Sequence, residues 1–180
     1  MPKNYLKAPK NPKISVDDPV FCKAFDELIL KEGGYVNNKY DTGGETKYGI
    51  SKKSYPDKNI KSLTKDDAKL IYYFDYWLPN KCHLLPPLVG SKYFDMCVNM
   101  GKKQATILLQ RAIMAVGNQI DVDGRLGPQT LGFLENSKGI GEIPTLAALR
   151  SEMAGFYRLL ACRDPKKGIF LNGWLTRAYA

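Results

Sequence analysis

Apolar and polar positions recur with a helical period through most of the chain. After Asp18-Pro19, an N-capping acid followed by proline at the first helical position, Phe21, Phe25, Leu28 and Glu32 follow at steps of four, three and four. All lie on one face of a 3.6-residue helix, flanked by Ala24 and Ile29, and Gly33-Gly34 ends the pattern. Glu32 therefore shares the stripe of the core residues, at the last turn, in a setting that suits a proton donor better than a solvated charge. "YVNNKYDTGGETKYGIS" comes next, with short β-type runs broken by Asn37-Asn38 and Gly43-Gly44, and predicts a small hairpin or three-stranded ribbon.

Thr64 and Asp67 spell a capping box for a helix over about 65–77 that carries Tyr72, Tyr73, Phe74, Tyr76 and Trp77 and stops at Pro79. Pro86-Pro87 opens another, with Val89, Tyr93, Met96, Cys97 and Met100 on one face until Gly101. Further helices are predicted over about 102–116, from Pro128, and over about 144–162, where Leu146, Leu149, Met153, Phe156 and Leu160 form the stripe. "FLNGWLTRAYA" reads as a closing segment that packs back. The sum is a mainly α protein with one small β element, without the βαβ alternation of a doubly wound fold.

Composition fills in the setting. The chain has 180 residues, 44% hydrophobic and 25% charged, enough for one sizeable core and unlike a disordered protein. Its formal charge of +9 points to an anionic partner such as nucleic acid, a membrane surface or anionic wall polymer. Arginine occurs only at 111, 125, 150, 158, 163 and 177, so lysine dominates, which favours diffuse attraction over bidentate phosphate or base reading. Cys22, Cys82, Cys97 and Cys162 form no C-x-x-C pair, and His83 is the single histidine, so no zinc site is expected and buried free thiols are the simpler reading. "DVDG" at 121–124 begins like a calcium loop but lacks the later acidic ligands and reads as a turn. No metal or other cofactor is implied. Residues 1–17 read as a basic flexible arm whose lysines are followed by no apolar run, so neither a Sec signal nor a membrane span is expected there.

Glycoside hydrolysis needs an acid for the leaving oxygen and a second group to handle water or the cationic transition state. Glu32 at a helix end, Asp41 nine residues on, and Thr46 five beyond it would supply these from one folded-back hairpin. Taken singly, a Glu before Gly-Gly is usually a solvated last-turn residue and an Asp beside Gly is usually turn chemistry. The joint order of acid, Gly-Gly, acid, Gly-Gly, Thr and Tyr-Gly-Ile is what favours catalysis. Tyr35 and Tyr48 flank the acidic hairpin and are candidate substrate contacts, as are Asp95 and Asn99, one helical turn apart. For that second pair, mutual satisfaction inside a core is the competing reading. Tyr72, Tyr76 and Trp77 at helical spacing are read as core before they are read as a sugar-stacking wall.

"EGGYVNNKYDTGGETKYGIS" resembles the signature of glycoside hydrolase family 108, the secretion-activator type N-acetylmuramidases. The resemblance continues in "YFDYW" and "FDMCVNMG", while "LLQRAI", "DVDGRLGPQTL" and "GFYRLLACRDP" with "FLNGWLTRAY" resemble the peptidoglycan-binding segment that accompanies it. It spans about residues 20–179. It implies an α+β lysozyme-like fold with the hairpin beside the active-site cleft, Glu32 as the catalytic acid, and Asp41 with Thr46 placing the attacking water. It further implies a catalytic region at 18–101 and a helical peptidoglycan-binding region at 102–180, expected to pack as a second lobe of the same unit. The partner expected is peptidoglycan, met in the periplasm by a monomer made in the cytoplasm and passed through a holin-like or other route, without stable membrane insertion or nucleic acid binding. A lytic transglycosylase, or a non-catalytic basic module binding wall or nucleic acid, are the alternatives.

Overall fold

The computed structural model describes residues 15–32, 34–36, 44–136 and 141–180. The basic arm expected at 1–17 therefore lies almost wholly outside the described residues, as does Asp41. Two compact units, divided between Pro79 and Asn80, make up the chain.

The first unit opens with α1 (Pro19–Glu32), whose buried residues are Phe21, Ala24, Phe25 and Leu28. Asp18 starts it as expected, its carboxylate accepting from the Val20 amide at 3.1 Å. β1 (Thr46–Lys47) and β2 (Ile50–Ser51) form an antiparallel hairpin with Thr46 opposite Ser51 and Lys47 opposite Ile50. A bridge from Val36 to Thr46 adds a third short line, so the ribbon predicted from sequence is present. Its tight corner is Tyr48-Gly49, with φ of 52° and 74°, the geometry of a two-residue turn between strands. α2 (Lys65–Tyr72) begins at the predicted capping box, where Thr64 Oγ1 accepts from the Asp67 amide and the Asp67 carboxylate accepts from the Thr64 amide, each at 3.0 Å.

The aromatic run differs from the continuous α-helix predicted over 65–77. Residues Tyr73–Trp77 form a π turn, with the Leu78 amide donating to the Tyr73 carbonyl at 3.0 Å. Tyr72, Tyr73 and Trp77 are all buried. Phe21 meets the Tyr73 ring at 4.9 Å and the Trp77 ring at 5.3 Å, and Phe25 meets Tyr72 at 5.9 Å. These aromatics are the surface on which the stripe of α1 packs; Tyr76 is half-buried against Tyr72 at 5.5 Å.

In the second unit a short 3-10 turn (Cys82–Leu84) precedes α3 (Pro87–Met100), α4 (Lys102–Ala115), α5 (Pro128–Asn136), α6 (Glu142–Arg163), a 3-10 turn (Pro165–Phe170) and α7 (Leu171–Tyr179). α6 packs against α3, α4 and α7 and forms the centre of the unit. The closing segment does pack back: the Arg177 guanidinium pairs with Asp95 of α3 at 3.0 Å, and Lys92 Nζ donates to the Arg177 carbonyl at 2.7 Å. The predicted turn at 121–124 is held by the buried Gln110, whose amide donates to Asp123 at 2.8 Å and accepts from the Gly124 amide at 2.9 Å. Asp123 is thus committed to the turn, and among the described residues no cluster of metal-binding side chains occurs. Cys82 and Cys97 are buried, Cys22 half-buried and Cys162 exposed, so burial of free thiols holds for only part of the set. Desolvation pushes the Cys97 thiol up to about 12. No described helix is long and apolar enough to cross a membrane.

Candidate active site

Glu32 is the last residue of α1 and is half-buried, in line with the buried Phe21, Phe25 and Leu28. The packing of that stripe on the aromatic run fixes the helix and with it the direction from which the carboxylate leaves the backbone.

The chain then turns back on itself. Val36 and Thr46 exchange both backbone hydrogen bonds at 2.8 Å, so the segment just after Glu32 is zipped to β1. Tyr35 reinforces this by donating its hydroxyl to Glu45 Oε1 at 2.8 Å. The Lys52 amide donates to the Glu45 carbonyl at 2.8 Å and extends the hairpin ladder. Lysines tie the ribbon to the following loop: Lys47 Nζ reaches the Lys61 carbonyl at 3.1 Å and Lys52 Nζ the Lys58 carbonyl at 2.8 Å.

The hairpin corner comes down onto Glu32. A Cβ added at Gly49 would stand 2.8 Å from Glu32 Oε2, 3.1 Å from its Cγ and 2.6 Å from the Tyr72 hydroxyl oxygen. Tyr72, buried against Phe25, donates that hydroxyl to the Tyr48 carbonyl at 2.9 Å. One phenol thus grips the turn from below, beside the Glu32 carboxylate. Neither Gly49 nor the Tyr72 hydroxyl was singled out from sequence. The available signal was the Tyr-Gly pair between β-type runs, less conspicuous than Asn-Gly in a two-residue turn.

The other expected site residues fall as follows. Thr46 is in β1, half-buried, with its hydroxyl 3.4 Å from the Gly44 carbonyl, a long contact that leaves it easily redirected. Tyr35 is exposed and Tyr48 half-buried, with Lys47 Nζ 5.5 Å from the Tyr48 ring. Glu32, Tyr35, Thr46 and Tyr48 therefore belong to one helix end and the ribbon attached to it. Asp95 and Asn99 belong to the second unit. Asp95 is buried and paired with Arg177, and Asn99 accepts a hydrogen bond from the Tyr157 hydroxyl. Burial is the main cause that pushes the Tyr157 phenol well above its ordinary range.

A mainly helical, lysozyme-like chain with a half-buried carboxylate at a helix end and a small ribbon folded onto it fits the architecture of a glycoside hydrolase. Residues 25–101 match the family model described as Glycosyl hydrolase 108, and residues 104–179 match the Predicted Peptidoglycan domain. Residues 25–101 thus resemble the glycosyl hydrolase 108 family, and the match supports an enzyme of the lysozyme or muramidase type. Among solved structures, that of Brucella abortus SagA is similar, with 27% identity and a TM-score of 0.64 over 88% of this chain and 93% of that one. No curated protein matches the chain.

Proposed function

We propose that this enzyme is an endo-acting N-acetylmuramidase that hydrolyses the β-1,4 bond between N-acetylmuramic acid and N-acetylglucosamine in peptidoglycan. In this reading Glu32 protonates the leaving oxygen, and Asp41 with Thr46 orients the attacking water or stabilises the oxocarbenium-like transition state. Tyr35 and Tyr48 contact glycan at the same end. Asp95 and Asn99 are assigned to the substrate face only through what their helix presents; their side chains are already engaged with Arg177 and Tyr157. The catalytic region is taken as 18–101 and the wall-binding region as 102–180.

The observation that carries the proposal is the placement of the Glu32 carboxylate under the Tyr48-Gly49 corner, with Thr46 on the attached strand. A solvated helix-end charge would not require a side-chain-free residue against it. Positive charge, +9 over the chain, draws the enzyme to the carboxylate-rich wall. Acting as a monomer in the periplasm, reached through a holin-like or other dedicated route, it opens the wall for lysis or for release of a protein or toxin.

Mass spectrometry of the soluble products from purified murein, wild type beside Glu32→Gln, is the test. Hydrated reducing-end muramic acid, absent with the variant, is the expected result. Anhydro ends lost in the variant would instead make the enzyme a lytic transglycosylase acting through the same acid. Release by Glu32→Gln at the wild-type rate would remove Glu32 from catalysis.

A further inference from the structure

Two large apolar side chains of the second unit are adjacent and left in water: Ile169 is 81% and Phe170 53% exposed. They do not sit on a loose loop. Asp164 caps their 3-10 turn by accepting from the Lys166 amide at 3.2 Å, Pro165 occupies its first turn, and Phe170 leads directly into α7. Side chains three apart eclipse in a 3-10 helix, so Lys167 stands in register with Phe170, and Lys166 with Ile169. The result is a pair of apolar groups, each with a lysine one turn before it on the same side of the 3-10 turn. Lys167 makes an exposed ion pair with Asp164 at 3.4 Å, weak enough to be exchanged for another carboxylate.

The Phe170 ring is also the outermost step of an aromatic stack. It lies 5.7 Å from Trp174 at 32°, and Trp174 lies 5.2 Å from Tyr157 at 22°. Tyr157 is buried, and its hydroxyl is fixed on Asn99. An exposed ring is thus backed by two more and anchored in the core, which removes much of the conformational entropy a ligand would otherwise have to overcome. Full burial of a Phe side chain contributes about 1.5–3 kcal/mol, and at this position the fold forgoes much of it.

We propose that Phe170, with Lys167 and Lys166, forms a glycan-strand binding platform in the second unit, on which a sugar ring of peptidoglycan stacks while the lysines pair with its lactyl or stem-peptide carboxylates. Only the identity of this ligand rests on the wall-enzyme reading; the platform needs no catalysis. An exposed ring backed by two further aromatics, with two lysines in the turn before it, suits an amino-sugar polymer that carries carboxylates. The two apolar side chains fall far short of the continuous apolar face with which an amphipathic helix enters a bilayer. The match of residues 104–179 to a peptidoglycan domain covers the whole platform.

Co-sedimentation of the full chain with insoluble murein, all in a Glu32→Gln background, tests this without turnover. Phe170→Ala should weaken binding about tenfold, the equivalent of one lost stacking contact near 1.4 kcal/mol. Lys166→Gln with Lys167→Gln should weaken it most at low salt. Both sets change exposed side chains, and unchanged helical circular dichroism serves as the folding control. Murein binding by Phe170→Ala and by the double lysine variant equal to that of the parent overturns the proposal. So does loss, in Phe170→Ala, of binding to phosphatidylglycerol vesicles while murein binding is kept, since the surface would then be a lipid contact. Phe170-dependent murein binding by a chain whose wild type releases no muropeptides would uphold the platform and reject the catalytic proposal alone.

Discussion

The α-carbon of Gly49 faces the Glu32 carboxylate so closely that a methyl group there would be 2.8 Å from Oε2. The same methyl would be 2.6 Å from the Tyr72 hydroxyl, and the φ of 74° is one that L-residues adopt at a cost of about 1–2 kcal/mol. Gly49→Ala should therefore displace the acid, the hairpin corner or both. The expected outcome is a loss of murein hydrolysis of about a hundredfold, the scale of a misplaced catalytic group, with the helical circular dichroism retained. Wild-type turnover by this variant would show that the corner moves freely and does not set the position of Glu32.

Tyr72 separates the role of the clamp from that of the core. In Tyr72→Phe the ring still packs on Phe25 and Tyr76, and the hydrogen bond to the Tyr48 carbonyl is deleted. Stability should fall by about 1 kcal/mol, the usual net value of one such bond. If the hydroxyl positions the turn over Glu32, kcat should drop about tenfold or more with KM little changed, because the loss concerns the reacting geometry and not glycan contact. A variant with normal kcat and lowered stability would reduce Tyr72 to a structural residue.

The contrast between these residues and Glu32 shows what the chain order discloses. The stripe Phe21, Phe25, Leu28, Glu32 is visible because helical periodicity is local, and α1 follows it to the last residue. Asp18-Pro19, the Thr64–Asp67 box and Pro128 mark helix starts through chemistry confined to a few residues, and they too agree with the structure. The Gly49–Tyr72 relation joins positions 23 residues apart through a backbone carbonyl and the absence of a side chain, which leave no periodic trace. The π turn at Tyr73–Trp77 is likewise silent, since an aromatic run reads as an α-helix whichever way its last turn is wound. Asp95 and Asn99 were picked out by spacing alone, and spacing said nothing of Arg177 and Tyr157, which lie more than fifty residues downstream.

The capping box of α2 carries a pH dependence whose sign can be worked out. The Thr64 hydroxyl, first, and the Thr64 amide hold the Asp67 carboxyl below its ordinary value of 3.8. A carboxyl depressed in the folded state contributes stability that is fully present above its unfolded value and is lost as pH falls through the folded one. Asp67→Ala should therefore lower Tm at pH 7, and the gap to wild type should close as pH is taken below about 4. Thermal melts at pH 7, 5, 4 and 3 measure it; a gap that stays constant to pH 3 would assign the loss to helix propensity rather than to the cap.

Gln110 offers the sharpest stability test in the second unit. Its buried amide group donates to Asp123, to the Arg125 carbonyl at 3.1 Å and to Thr130 at 3.3 Å, while its carbonyl accepts from Gly124. One side chain of α4 thereby satisfies the turn that leads into α5. Gln110→Leu fits the volume but removes these bonds; the exposed Asp123 keeps the Arg125 amide, while the half-buried Gly124 amide and the buried Thr130 hydroxyl lose a partner, at roughly 1–3 kcal/mol for a buried group left without a bond. A loss of about 1–3 kcal/mol is therefore expected in urea melts, with an unchanged m-value. Gln110→Glu keeps the acceptor for Gly124 but places a second carboxylate against Asp123, whose own carboxyl is held low chiefly by the Gln110 amide. That variant should be least stable at neutral pH and recover as the medium is acidified, so its gap to wild type closes in the same direction as that of Asp67→Ala. A leucine tolerated at this position would mean that the turn is held by its own backbone and that the amide contributes little.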